Sequence, residues 1–192
     1  MTLHMRARRR VLAGMACAAL AAAAASLAAP VAAAAKAAGA RFTPWKGRAT
    51  PPLVLKDARG RTHDLAAYRG RVVLVNFWAT WCEPCLEEMP SLEALQDRLK
   101  GRPFTLLTVN MQESEGKVRQ FLQSTLLQDD SLVVLFDGFG TAAKDWKARM
   151  LPVSFLVGPD GRIRHTLLGA ANWSAAEIVS QIERLMPASA RS

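Results

Sequence analysis

The side chains of this sequence best suited to chemistry are the two cysteines of Trp81-Cys82-Glu83-Pro84-Cys85, separated by two residues. They stand where a near-continuous apolar run, Val72–Phe77, hands over to a helical pattern. The first turn of a helix leaves backbone N–H groups unpaired and presents partial positive charge, which favours a thiolate over a thiol. A thiol pKa brought below its ordinary value of about 8.5 raises the reactive fraction at neutral pH. Cys82, at the helix start, is therefore expected to attack, and Cys85, one turn inside, to resolve the mixed disulfide. Pro84 costs no helical hydrogen bond in the first turn and fixes the backbone between the sulfurs.

Two other uses of such a pair compare poorly. A structural zinc site takes four ligands, and after residue 35 the chain adds only His63 and His165, neither with a companion at ligand spacing. Both histidines read as surface residues, and no metal or cofactor is expected. A purely structural disulfide across two residues closes too small a loop to stabilise much.

Glu88 is a second candidate. Advancing about 100° per residue from Cys85, Met89, Leu92, Leu95 and Leu99 fall on one stripe of a helix expected from about Glu83 to Leu99. Glu83, Glu87, Glu93, Asp97 and Arg98 occupy another arc, whereas Glu88 lands inside the stripe, one turn from Cys85. A carboxyl group there has a raised pKa and can relay a proton for Cys85. The bland alternative is a side chain that reaches out to solvent or pairs with a lysine or arginine. Pro90 falls in the helix interior, where it removes a hydrogen bond and bends the axis.

Around this helix, strands and helices alternate. Leu53–Leu55 and Thr62–Leu65, joined through Asp57-Ala58-Arg59-Gly60, read as a small hairpin. Val72–Phe77 reads as a strand buried on both faces. Phe104–Val109 and Leu132–Phe136 are further strands, with helices over Lys117–Leu126 and Thr141–Arg149. Val153–Val157 and Arg162–Leu168 flank the turn signal Pro159-Asp160-Gly161, and Ser174 caps a last helix stopped by Pro187. The pattern predicts an α/β fold, helices around a mixed sheet.

The chain has 192 residues, 51% of them hydrophobic and 21% charged, enough for a packed core and too apolar for wholesale disorder. Its net charge of +9 owes four arginines to residues 1–35, which contain no acid; the remaining residues include 21 basic against 16 acidic side chains. That balance, without a basic-aromatic stripe, excludes nucleic acid as the expected partner. Arg6–Arg10, the uncharged Val11–Ala25 and the small-residue sites around Ala33-Ala34-Ala35 have the layout of a secretory signal peptide. The same residues, 11–35, are long enough to serve instead as an uncleaved membrane tether, although alanine and Pro30 make a poor span. Cys17 falls inside this leader and lacks a proper lipobox. Residues 36–52 read as a linker, 53–188 as the folded domain and 189–192 as a tail. Export places the remaining cysteine pair in an oxidising compartment.

Phe77-Trp78-Ala79-Thr80-Trp81-Cys82-Glu83-Pro84-Cys85, followed by Glu87-Glu88-Met89-Pro90, resembles the thioredoxin superfamily and, more narrowly, its exported TlpA and ResA branch of thiol-disulfide oxidoreductases. The likeness runs from about Leu53 to Met186 and is weakest from Gln112 to Trp146. It implies a thioredoxin-like fold with an N-terminal β-hairpin extension, and a redox-active Cys82–Cys85 disulfide with Cys82 as nucleophile. Pro152 would match the family's cis-proline, shaping with Leu151, Trp81, Glu83 and Pro84 a groove for an extended client backbone; an ordinary proline at a strand start is the alternative. Asn76 stands where cytosolic thioredoxin has a buried aspartate, and Glu88 matches the glutamate that the exported branch carries instead. Trp78 and Trp81 would either wall the site or serve as core aromatics.

The resemblance further implies a periplasmic reductant of disulfide-bearing exported clients, such as apocytochromes or copper-centre proteins. Electrons would come from a membrane thiol-disulfide transporter, with cytochrome c maturation as the pathway. A disulfide-forming oxidant uses the same fold, and a copper carrier would use the same two sulfurs with an added histidine, for which His165 is badly placed in an edge hairpin. A peroxidase of the related pattern would want a threonine where Ala79 stands.

Overall fold

The computed structural model describes residues 41–47, 49–125 and 132–187. Among these, eight strands form one mixed sheet: β1 (Thr43–Pro44), β2 (Val54–Asp57), β3 (Thr62–Asp64), β4 (Val72–Trp78), β5 (Phe104–Met111), β6 (Val133–Asp137), β7 (Val153–Val157) and β8 (Ile163–Leu168). Their spatial order is β1-β8-β7-β4-β5-β6-β2-β3. β4, β5 and β6 are parallel to one another, and the remaining pairings are antiparallel. The helices are α1 (Glu83–Arg98), α2 (Glu115–Ser124), α3 (Thr141–Asp145) and α4 (Ala176–Leu185).

β4 is buried at every position, as its unbroken apolar run requires. Alternation sends Val72, Leu74 and Trp78 to one face, where they pack with α1, α2 and α4. Val73, Val75 and Phe77 go to the other, against α3, Trp146 and Leu65. The stripe read from the α1 sequence is the face that the helix buries: Cys85, Glu88, Met89, Leu92 and Leu95, with Leu99 just beyond. The helix continues through Pro90, whose ring is exposed.

The hairpin β2–β3 is more than an appendage, because β2 also pairs with β6 and extends the sheet. Its turn closes on buried Asp57, which accepts from the Arg59 and Arg61 amides at 2.9 Å and from His63 Nε2 at 2.9 Å. Burial pushes the Asp57 carboxyl up, but His63 and Arg61 outweigh it and hold the group well below the ordinary range. His63 is thus only 12% exposed in its side chain and bonded on both ring nitrogens, to Asp57 and Tyr68, rather than a free surface residue. His165 is also half-buried, on β8 beside Phe42.

Four boundaries depart from expectation for local reasons. The described part of the 36–52 stretch lies on the sheet: β1 pairs with β8, and Thr50 Oγ1 accepts from the Ile163 amide at 2.8 Å. A two-residue strand carries no readable period. α2 starts at Glu115 because Ser114 caps it, its side chain accepting from the Lys117 amide. α3 stops at Asp145, since Lys147 takes a left-handed backbone at φ 58°. Ala175, not Ser174, is the N-cap of α4, and the Ser174 amide donates to the Asn172 side chain at 3.1 Å. The leader, the tail and Leu126 lie outside the described residues. Among the described residues no helix is long and apolar enough to cross a membrane.

Candidate active site

β4 delivers the chain to Ala79, and a tight turn, with the Cys82 amide donating to the Ala79 carbonyl at 3.2 Å, starts α1. Cys82 is the N-cap residue and Pro84 lies in the first turn. The two sulfurs form a disulfide, with the Cα atoms 5.2 Å apart. Cys85 is fully buried whereas Cys82 keeps 6% of its surface, so Cys82 is the sulfur a client can reach. Trp81, Glu83 and Pro84 around it are exposed, Trp81 by 65%. The two tryptophans therefore divide: Trp81 borders the site, and Trp78 is core, packed against Phe121.

Glu88 lies one turn further along α1 and is 3% exposed. Its Oε1 accepts from Asn76 Nδ2 at 2.8 Å, and its Oε2 from the Ala171 amide and the Trp173 indole, both at 3.0 Å. Burial pushes the carboxyl up; the Trp173, Ala171 and Asn76 donors pull it down without cancelling the rise. All three donors are neutral, so the group neither reaches solvent nor relies on an ion pair. Asn76 is itself fixed on Ser154 Oγ at 2.9 Å, and its Oδ1 is buried without a hydrogen-bond partner. A turned amide would let that oxygen accept from a protonated Glu88, so the network has a partner for either protonation state.

A second buried carboxylate holds the approach to the cysteines. Gln112, left-handed at φ 59°, turns the chain at the end of β5, and Glu113 is 6% exposed. Its oxygens accept from the Thr80 amide at 2.7 Å, the Thr80 hydroxyl at 2.6 Å and Asn110 Nδ2 at 2.9 Å, with Lys117 Nζ at 2.6 Å. Burial raises this carboxyl, but Lys117 first, then Thr80 and Asn110, more than reverse the effect and bring it down to about 2. Thr80, two residues before Cys82, is thereby pinned at both amide and hydroxyl.

The register Phe77↔Val153 sets Pro152 level with Trp78 on the adjacent strand, about 4.8 Å away between backbones. The Leu151–Pro152 bond is cis. Pro152 is buried, and half-buried Leu151 packs against the apolar cluster that contains both cysteines. The sequence-read groove residues thus meet at one end of β4 and β7. Among the described residues no group of three or more His, Cys, Asp or Glu is arranged to hold a metal.

The Redoxin family model matches residues 32–184, which includes all eight strands and most of α4. The chain belongs to the Redoxin family. It is 30% identical over 141 residues to the thiol-disulfide oxidoreductase ResA of Geobacillus kaustophilus, covering 73% of this chain and 78% of that one. It is equally identical over 124 residues to the ResA of Bacillus subtilis, covering 65% and 68%. The exposed lipoprotein thioredoxin of Streptococcus pneumoniae superposes with a TM-score of 0.63 at 24% identity, over 70% of this chain and all of that one, a likeness of fold. Within the thioredoxin superfamily this Redoxin protein is of the TlpA and ResA type, and it is a thiol-disulfide oxidoreductase.

For a Redoxin protein, the residues that sequence reasoning misses are instructive. Asn76 stands out in the sequence only for what it replaces, yet it bonds Glu88 directly. Trp173 and Ala171 come from the loop before α4, more than eighty residues away, and leave no local pattern. Glu113 has one legible hint, Lys117 four residues on, which marks an ordinary helix-end pair and gives no reason to connect it with Thr80.

Proposed function

We propose that this oxidoreductase works as a reductant of disulfides in exported clients, with Cys82 attacking and Cys85 resolving. The observation that carries the reading is Glu88: a buried carboxyl, raised above its ordinary range, one turn from the buried thiol of the pair. In the reduced protein, the Cys82 thiolate attacks one client sulfur, forms a mixed disulfide and releases the other client sulfur as a thiolate. Cys85 then gives its proton to Glu88 and attacks the Cys82 sulfur. The client leaves with two thiols after protonation, and the Cys82–Cys85 disulfide remains. Two electrons have passed to the client, and a membrane thiol-disulfide transporter returns the pair to the dithiol.

Clients dock as extended backbone along Leu151-Pro152, between Trp81, Glu83 and Pro84. Exposed Met150 (63%), next in sequence, and Phe139 (98%), just past the end of β6, supply apolar contact beside it. The clients are apocytochromes or copper-centre proteins of the periplasm, and cytochrome c maturation is the pathway this reading favours. The leader either is removed on export or stays as a tether through residues 11–35.

Reduction of insulin disulfides, together with a measured potential, tests the direction. A potential near or below about −270 mV with turnover lost in Cys82→Ser fits the reductant. A value near about −120 mV would make the protein an oxidant instead. Stoichiometric Cu(I) binding without turnover would make it a carrier.

A further inference from the structure

The parallel strands have two ends. The C-terminal ends carry the disulfide; the segments leading into β4, β5 and β8 at the other end carry a cluster of basic side chains. Arg69 and Arg71 precede β4, Lys100 and Arg102 precede β5, and Arg162 and Arg164 flank the start of β8. Hydrogen bonds tie these segments into one surface. The Gly70 amide donates to Pro159 O at 2.8 Å, Arg69 Nη1 to Asp160 O at 3.0 Å, and Arg71 Nη2 to Arg102 O at 3.1 Å. Against these six cations stand Asp160, bonded to Arg164, and Glu183, bonded to Arg102, while adjacent Arg98 and Asp97 cancel. Among these described residues, six cations thus stand against two acids.

Such charge has no part in the redox site. β4 alone separates the two ends by about 20 Å, beyond the screening length of about 8 Å at physiological salt. Nor does the surface suit a protein partner, which needs buried apolar anchors. The exposed large hydrophobics among the described residues are Val54, Trp81, Phe139, Met150 and Leu168, none of them in these segments. Arg162 is 80% exposed in its side chain, and with Arg69 and Arg164 it lines an open cavity of about 710 Å³, far wider than a single small anion would fill. A sheet of lipid headgroups asks only for charge. Residues 11–35, with the layout of a leader or tether, bring the same chain to a bilayer.

We propose that this end docks on an anionic bilayer surface, turning the disulfide away from the lipid toward clients. The test is lysine footprinting of the full chain on vesicles of phosphatidylcholine with or without about one-third phosphatidylglycerol. Lys100 marks the basic end, and exposed Lys147, beside the groove, marks the other. Anionic vesicles should lower Lys100 labelling about fivefold and leave Lys147 unchanged, and about 0.5 M salt should erase the protection. Any contribution of the leader is common to parent and variant, so the charge reversal Arg69→Glu with Arg162→Glu isolates this surface and should abolish the protection. The variant should reduce insulin at the parental rate, which also verifies its fold, and the footprint needs no turnover, so it stands apart from the redox reading. Equal protection on neutral vesicles, protection of Lys147 instead of Lys100, protection that survives in the variant, or none at all would overturn the proposal.

Discussion

Glu88 and Glu113 are both buried near the cysteine helix, and their surroundings drive them in opposite directions. Glu88 has three neutral donors, from Asn76, Ala171 and Trp173, and burial wins: its carboxyl is raised. Glu113 has three neutral donor contacts plus the Lys117 ammonium, and the donors win: its carboxyl falls to about 2. Burial raises both, more strongly at Glu88, and at Glu113 the Lys117 ammonium leads the donors that reverse it. A buried acid among neutral donors holds its proton to higher pH than an exposed one and suits a relay. One that faces an ammonium stays charged and suits a clamp. In the proposed mechanism the first serves behind Cys85, and the second pins Thr80 ahead of Cys82.

The largest effect expected from breaking this contrast is on stability. Glu113→Ala leaves Asn110 Nδ2 buried without its acceptor, together with the Thr80 amide, and removes the partner of exposed Lys117. Removing one member of such a cluster costs about 3 kcal/mol, read as a shift in the urea midpoint at unchanged slope. A loss under about 1 kcal/mol would mean that Thr80 is held by something other than Glu113.

Glu88→Gln should act on rate instead. A glutamine oxygen can still accept from Ala171 and Trp173, and its amide can donate to the free Asn76 oxygen once Asn76 turns. The fold survives, but the proton acceptor is gone, so thiol–disulfide exchange slows about tenfold or more and its pH–rate profile loses the carboxyl's limb. An unaltered profile would remove Glu88 from the mechanism.

Much of this contrast is legible in the sequence, and the missing part has a physical reason. The α1 stripe places Glu88 inside the core because a helix repeats every few residues, and Cys82-Glu83-Pro84-Cys85 is local by construction. The surroundings of Glu88 are not local: Trp173, Ala171 and Ser154 arrive through the order of strands in the sheet. Glu113 sits just outside β5, in a turn with no period, and its partner Thr80 is 33 residues earlier. Likewise β1, only two residues long, cannot be separated from linker by composition. Periodic elements can be read; contacts between loops cannot.

The mildest way to sharpen the comparison is to remove only the cation. Lys117 is 57% exposed in its side chain, so its attraction to Glu113 is partly screened and Lys117→Met should cost only about 1 kcal/mol. Its diagnostic value lies in pH. Glu113 titrates at about 2 when folded against an ordinary value of 4.5, so its stabilising contribution is complete above 4.5 and lost as pH falls toward 2. Glu88 is raised when folded, so its contribution is complete below 4.5 and lost as pH rises through the folded value. The parent's advantage over Lys117→Met should therefore fall on acidification, whereas on raising pH the parent should lose stability that Glu88→Gln keeps, so that the variant becomes the more stable of the two. Urea titrations across pH 2–8 measure both. If the parent lost ground to both variants in the same pH direction, the two carboxyls would not titrate oppositely, and the division into clamp and relay would fail with it.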